Sequence, residues 1–207
     1  MIIHDVEQGS DAWHAARLGR ATASEFSSVL AKGQGKTREK YLRRIVCEIL
    51  TGKPVESSAT GAWAKNLERG HEQEEFALAA YEIKTGNTVE KVGFVQHDTL
   101  LAGCSPDGFV GVDGGVEIKS TIPTVQLETI LQGGYPSEHK AQIQGCLWLT
   151  GRAWWDFCSY SEDLPENLRL YVFRVERDET YITALQAEVT VFLRDCDSLT
   201  EKLRGIK

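Results

Sequence analysis

The stretch from Ser105 to Lys119 constrains this chain more than any other. Asp113-Gly114-Gly115 stands between Phe109-Val110 and Val116-Glu117-Ile118, which is the turn chemistry of a tight hairpin, because Asp and Gly tolerate the backbone angles a sharp reversal requires. Glu117 and Lys119 therefore share one strand. Side chains alternate along a strand, so Glu117 and Lys119 point to one face while Ile118 points into the apolar layer behind it. Asp107, in Ser105-Pro106-Asp107-Gly108 at the mouth of the other arm, can join them. Asp113 is explained fully by its place in the turn.

Two carboxylates converging on one point repel unless a cation lies between them, and hard oxygen ligands with open positions suit Mg²⁺ or Mn²⁺. Lys119 sits beside such an ion, where its ammonium can orient an attacking water or, with its pKa lowered by the cation, take the water's proton. A nuclease needs this set. Asp-Gly after Pro is also ordinary turn chemistry, and Glu-x-Lys is often a solvated strand edge, so it is the pairing of both across one hairpin that favours a site. A nuclease of this kind recruits one more carboxylate from a helix. Between Trp63 and Tyr81, the residues Leu67, His71, Glu74, Leu78 and Tyr81 recur at helical spacing and place Glu74 in a mostly apolar, inward stripe. A carboxylate there needs a partner, and a metal ion is the economical one. Glu68, Glu72, Glu75 and Glu82 fall on other faces and read as solvated.

At 207 residues and 42% hydrophobic content, the chain can bury one sizeable core, which predicts a single domain over residues 1–207. No apolar run approaches membrane-spanning length, and Asp5 and Glu7 stand where a signal peptide would need positive charge, so the expectation is a cytoplasmic protein with no membrane contact. The five cysteines, Cys47, Cys104, Cys146, Cys158 and Cys196, lack zinc-knuckle or iron–sulfur spacing and read as buried small residues. The five histidines are dispersed; His139, three residues before Gln142, is the one able to approach a nucleic acid. Trp154-Trp155 reads as core. A net charge of −7 alone would suggest a small-molecule enzyme. Its distribution differs: Lys32, Lys36, Arg38, Lys40, Arg43 and Arg44 cluster around Gly33-Gln34-Gly35 with one acid, Glu39, a stripe able to follow a phosphate backbone or simply to solvate a helix start.

Periodicity and capping signals predict helices from Ser10 to Leu18, from a Thr22-x-x-Glu25 capping box onward, from Thr37 to Leu50, and through the Glu74 segment to Thr85-Gly86-Asn87. Two more are predicted from Ser137 to Leu149 and from Glu179 to Leu203. Strands are predicted over Thr88 to Gln96, Leu100 to Cys104, Phe109 to Val112, Val116 to Ser120, Ala153 to Tyr160 and Leu170 to Val175. This order implies an α/β domain with a central mixed β-sheet flanked by α-helices.

Several segments recur in a familiar order: Asp11-Ala12-Trp13-His14 with Arg17-Leu18-Gly19, Thr22-Ala23-Ser24-Glu25, Cys104-Ser105-Pro106-Asp107-Gly108, Glu117-Ile118-Lys119, Gly133-Gly134, Ala141-Gln142-Ile143-Gln144, and Glu176-Arg177-Asp178-Glu179 with Tyr181. Together they resemble the lambda-type phage alkaline exonucleases, the YqaJ-like viral recombinase branch of the restriction-endonuclease-like nucleases. The likeness is weakest from Lys32 to Ala62 and after Val189. It implies a phage or prophage enzyme that digests the 5′-ended strand of linear duplex DNA in the 5′ to 3′ direction, releasing 5′-mononucleotides and leaving a 3′ single-stranded tail. It implies a homotrimeric ring, a phage single-strand annealing protein as partner, and a 5′-phosphate pocket of Arg17, Ser24, Ser105 and Gln142. In the resulting reading Asp107 bridges two Mg²⁺ ions, which Mn²⁺ can replace, Glu117 and the Ile118 carbonyl hold the first, and Glu74 helps hold the second. Two other readings stay open: an endonuclease of the same fold, restriction or junction-cleaving, and a non-catalytic DNA-end-binding module.

Overall fold

The computed structural model describes residues 1–32, 36–55 and 62–206, and the backbone alone for 62–72. In chain order the first half holds β1 (Ile2–His4), α1 (Asp11–Arg17), β2 (Ala21–Thr22), α2 (Phe26–Leu30), α3 (Lys36–Thr51), α4 (Ala62–Thr85), β3 (Val89–Glu90), β4 (Phe94–Gln96) and β5 (Ala102–Cys104). The second half holds β6 (Gly108–Val110), β7 (Gly114–Ser120), α5 (Pro123–Gln132), α6 (Lys140–Thr150), β8 (Trp154–Tyr160), α7 (Glu166–Arg169), β9 (Leu170–Glu176) and α8 (Glu179–Arg204). Short 3-10 turns precede α2 at Ala23–Glu25 and α6 at Ser137–His139.

The fold is mixed α/β, with its strands in two mixed sheets flanked by helices. The larger runs β3-β6-β7-β8-β9, antiparallel except for the parallel pair β7 and β8. A parallel pair cannot be joined by a hairpin, and α5 and α6 supply the crossover. The smaller sheet runs β1-β4-β5-β2, with β2 parallel to β5. Alternation along β7 and β8 divides the core: Val116, Ile118, Cys158 and Tyr160 pack on Ala77, Leu78 and Tyr81 of α4. Trp155 and Phe157 pack on the other side with Ile143 and Leu147 of α6 and Leu185 and Val189 of α8. Glu117 and Lys119, one residue out of phase with Ile118, project on the α6 side. Each fully buried large apolar side chain in these layers contributes about 1.5–3 kcal/mol.

The predicted hairpin forms, but its turn lies earlier. Val110 pairs with Gly114, so Gly111, at φ +54°, Val112 and Asp113 make the reversal. Gly114 and Gly115 belong to the strand for a steric reason, since a Cβ at Gly114 would lie 2.1 Å from the Trp154 ring and one at Gly115 2.4 Å from the Trp155 ring. Asp113 keeps its turn role, its carbonyl accepting from the Ala153 and Trp154 N–H groups. Trp155 is fully buried, as expected of core, while Trp154 carries the Arg174 guanidinium 3.5 Å over its ring.

Other expectations are corrected. The run from Thr88 to Gln96 is two strands in different sheets, because the chain crosses the segment after β1 at Gly93, where a Cβ would stand 2.1 Å from the Val6 carbonyl oxygen. The capping box does not form: Thr22 ends β2 and makes no side-chain cap, and Glu25 accepts from Ser28 Oγ and pairs with Arg44. Glu82 is no simple solvated acid, since it accepts the Val89 N–H at 2.7 Å and ties α4 to β3. Cys47 is exposed, while the other four cysteines are buried. Helix α5 escaped the sequence reading because its polarity is inverted: Gln126 is its fully buried residue, donating to the Ser159, Leu168 and Arg169 carbonyls, whereas Leu131 is 84% exposed. No helix among the described residues is long and apolar enough to cross a membrane.

Gly115→Ala should overpack the site under Trp155 and cost about 1–3 kcal/mol. Urea denaturation reads this as a lower midpoint with unchanged slope; an unaltered midpoint would show that the Trp155 ring can yield.

Candidate active site

Asp107 ends the loop that leads into β6. Its Oδ2 accepts the Ile118 N–H at 2.5 Å, satisfying a strand donor just beyond the last ladder pair, Gly108 with Val116. That bond sets the carboxylate beside Glu117. Glu117 is buried, and its Oε1 accepts from Lys119 Nζ at 2.6 Å and from Gln142 Nε2 at 2.5 Å. The Gln142 carbonyl oxygen in turn accepts from Lys119 Nζ at 3.3 Å. Glu117 Oε2 is buried and has no hydrogen-bond partner among the described residues.

Burial, and then repulsion from Glu117, push the Asp107 carboxyl well above the usual carboxylate range, with Lys119 opposing. Burial alone would lower the Lys119 ammonium, but Glu117 and Asp107 outweigh it and raise it. Two buried carboxylates with one lysine between them are short of positive charge, and an orphaned carboxylate oxygen is costly in a low-dielectric setting. A divalent cation would relieve both deficits, so the donor set fits one. Among the described residues no three His, Cys, Asp or Glu side chains stand close enough to enclose an ion by themselves.

Glu74 is half-buried on α4 and lines a cleft of about 460 Å³ with Asp107, Glu75, Lys91 and Gly93. Its charge adds to the repulsion on Asp107. The predicted stripe holds at Leu78 and Tyr81, but Gln73 and Ala77 are buried with them, which puts Glu74 at the rim of the apolar face instead of its middle. The side chains of Leu67, Glu68, His71 and Glu72 lie outside the described residues. Glu75 is exposed and pairs with Lys91 at 3.5 Å, as a solvated acid should.

The four residues matched to a phosphate pocket divide between two places. Arg17 closes α1, donates to Ser105 Oγ at 2.8 Å and lies 4.0 Å over the Trp13 ring, and burial lowers its pKa. It lines a cleft of about 480 Å³ with Ser24, Arg20 and Arg44. Gln142 instead lies on Glu117 and Lys119, and Ser105, two residues before Asp107, stands between the two groups. Glu25 pairs with Arg44 at 3.0 Å, leaving Arg17 to the serine. The basic stripe is partly neutralised, with Arg38 on Asp195 and Arg43 on Glu39. Gly33-Gln34-Gly35 lies outside the described residues.

Three features add to the sequence reading. His139 stacks on Phe157, 5.4 Å between centroids, and burial together with nearby Lys119 pushes its pKa down to about 4. Cys104 and Cys146 are both buried, and the hydrogen bond to Cys104, burial and the nearby Glu117 and Asp107 charges push the Cys146 thiol up. Gln8 reaches the Pro106 carbonyl, beside Asp107. The spacing from Gln142 already places His139 and Cys146 near it in the sequence; nothing local could have placed Gln8.

Residues 12–153 match the YqaJ-like viral recombinase domain. An alkaline exonuclease, LHK-Exo, from Laribacter hongkongensis is 37% identical over 94% of this chain and 96% of its own, with a TM-score of 0.86; its complex with dAMP matches equally. A phage-related exonuclease from Haemophilus somnus 129PT covers 89% of this chain and 96% of its own at 15% identity and a TM-score of 0.68, a likeness of fold alone. No curated protein matches the sequence.

If Asp107 and Glu117 hold a cation, millimolar Mg²⁺ should raise the thermal midpoint, by the equivalent of about 2.7 kcal/mol at a hundredfold excess over Kd. Asp107→Asn and Glu117→Gln should each abolish the rise. A shift that survives both substitutions places the ion elsewhere.

Proposed function

This chain belongs to the YqaJ-like viral recombinase family, and on that footing we propose that it is a Mg²⁺-dependent exodeoxyribonuclease acting on ends of double-stranded DNA. It digests the 5′-ended strand in the 5′ to 3′ direction, releases 5′-mononucleotides and leaves a 3′ tail for single-strand annealing. The observation that supports the reading is the convergence of Asp107, Glu117 and Lys119 at the C-terminal half of β7, with one buried Glu117 oxygen unpartnered among the described residues.

In this reading Asp107 contributes to both of two ion sites, Glu117 and the Ile118 carbonyl to the first, and Glu74 to the second, with Mn²⁺ an effective substitute. Bound Mg²⁺ supplies Lewis acidity at the scissile phosphate and lowers the pKa of water. Lys119, already hydrogen-bonded to Glu117, orients the attacking water and offsets the charge that develops on the phosphate. Gln142 bonds both residues and so fixes their separation. Arg17, backed by Trp13 and bonded to Ser105, receives the terminal 5′-phosphate with Ser24. A homotrimeric ring, an annealing-protein partner and a cytoplasmic site of action are proposed from family membership.

Linear duplex with a 5′-phosphate, the same duplex with a 5′-hydroxyl, and a covalently closed circle, each with Mg²⁺, test the reading. The linear substrates should be degraded and the circle left intact. Cutting of the circle would make the protein an endonuclease, and end binding without hydrolysis would make it a binding module. A guanidinium–phosphate contact is worth about 1.5–3 kcal/mol, so the phosphorylated end should be preferred roughly ten- to hundredfold and Arg17→Ala should erase most of that preference. An Arg17→Ala enzyme that kept it would make Arg17 structural.

Glu74→Gln should slow digestion strongly, with partial recovery at high Mn²⁺, whereas Glu75→Gln should change the rate little. Equal rates for the two variants would remove Glu74 from the ion sites.

A further inference from the structure

Gln8 lies in the loop between β1 and α1, and its amide nitrogen donates to two carbonyl oxygens at once, Val92 at 2.8 Å and Pro106 at 2.8 Å. Pro106 immediately precedes Asp107. The approach depends on Gly93, where a Cβ would stand 2.1 Å from the Val6 carbonyl oxygen and 2.7 Å from that of His4, so that glycine alone lets the loop carrying Gln8 lie against residues 92 and 93. The loop bearing Asp107 is thereby fastened at each residue. Ser105 Oγ accepts from Trp13 Nε1 at 2.9 Å and from Arg17, and Asp107 accepts the Ile118 N–H. Proline has no N–H, so the carbonyl is the one main-chain group by which Pro106 can be held. Gln8 holds it.

The fastening opposes a definite force. Glu117 and Glu74 both repel Asp107, and a loop free to yield would relieve that repulsion by carrying the carboxylate away from them. We propose that Gln8 is a positioning residue for Asp107: its bond to the Pro106 carbonyl keeps the two carboxylates at the separation a divalent cation between them requires. The inference rests on the reading of Asp107 and Glu117 as metal ligands.

The test is a Mn²⁺ titration of the full chain, with free Mn²⁺ read by electron paramagnetic resonance, alongside steady-state digestion of linear duplex. Gln8→Met keeps the length of the side chain and loses its donors; Gln8→Asn keeps the amide but is one methylene too short to span both carbonyls. Asp107→Asn sets the floor. Groups that orient metal ligands are typically worth ten- to hundredfold, so both Gln8 variants should bind Mn²⁺ roughly that much more weakly and lose kcat to a similar degree. KM for DNA ends should not change. Wild-type Mn²⁺ affinity and kcat in folded Gln8→Met overturn the proposal. Variants whose circular dichroism shows them unfolded at the assay temperature overturn it equally, assigning Gln8 to stability alone. A wild-type chain that binds no Mn²⁺ removes the metal reading itself, and the inference with it.

Discussion

The parallel pairing of β7 with β8 is the contact on which the rest of this structure depends. Seven residue pairs lock the strands, from Gly114 with Trp154 to Ser120 with Tyr160. Two glycines make the register possible by leaving room for two indole rings. Once that register is set, alternation leaves no freedom: Ile118 must enter the layer beneath α4, and Glu117 and Lys119 must face α6. A slip of one residue would bury the apolar side chains on the wrong side and separate Glu117 from Gln142. The geometry of the site is thus inherited from sheet packing.

Within that frame the site is assembled against its own electrostatics. Asp107 is held beside Glu117 in buried surroundings that disfavour its charge, with one lysine offsetting part of the cost. The supports are hydrogen bonds to neutral groups: the Ile118 N–H on Asp107, Gln142 on Glu117, Gln8 on Pro106. Such bonds hold acids in place without neutralising them. A second buried carboxylate on the same sheet, Asp156, shows the contrast. It receives a bidentate Arg174 and the Tyr81 hydroxyl, is fully satisfied, and serves to tie α4 and β9 to β8. One acid is finished by protein; the other is left open.

The overall charge of −7 and the partly neutralised basic stripe fit the same picture. Arg17, Arg20 and Arg44 line one cleft together with Asp11, Glu25 and Glu48, while acids predominate in the other, beside Asp107. Ser105 and Asp107, two residues apart, belong to one short loop that joins the two. The arginine cleft and the carboxylate cleft are therefore fastened to a single piece of chain.

By itself the sequence determined the local grammar. Period-two alternation and turn chemistry announced the hairpin and the shared face of Glu117 and Lys119, and helical periodicity announced α3, α4, α6 and α8, because these depend on neighbours a few residues apart. It was blind wherever a distant group replaced a local rule. The turn moved to Gly111–Asp113 because Trp154 and Trp155 claim the space above Gly114 and Gly115; α5 hid because a buried glutamine finds its partners on β8 and α7; Glu74 lies at a rim whose position follows from the docking of α4. Tertiary structure alone decided that Gln142 bonds Glu117 and Lys119 instead of joining Arg17, that Arg44 and not Arg17 takes Glu25, and that Gln8 reaches the residue before Asp107. The physical reason is common to all three: a hydrogen bond or ion pair across tens of residues exists only after apolar burial has brought its partners together, and no spacing along the chain encodes that meeting.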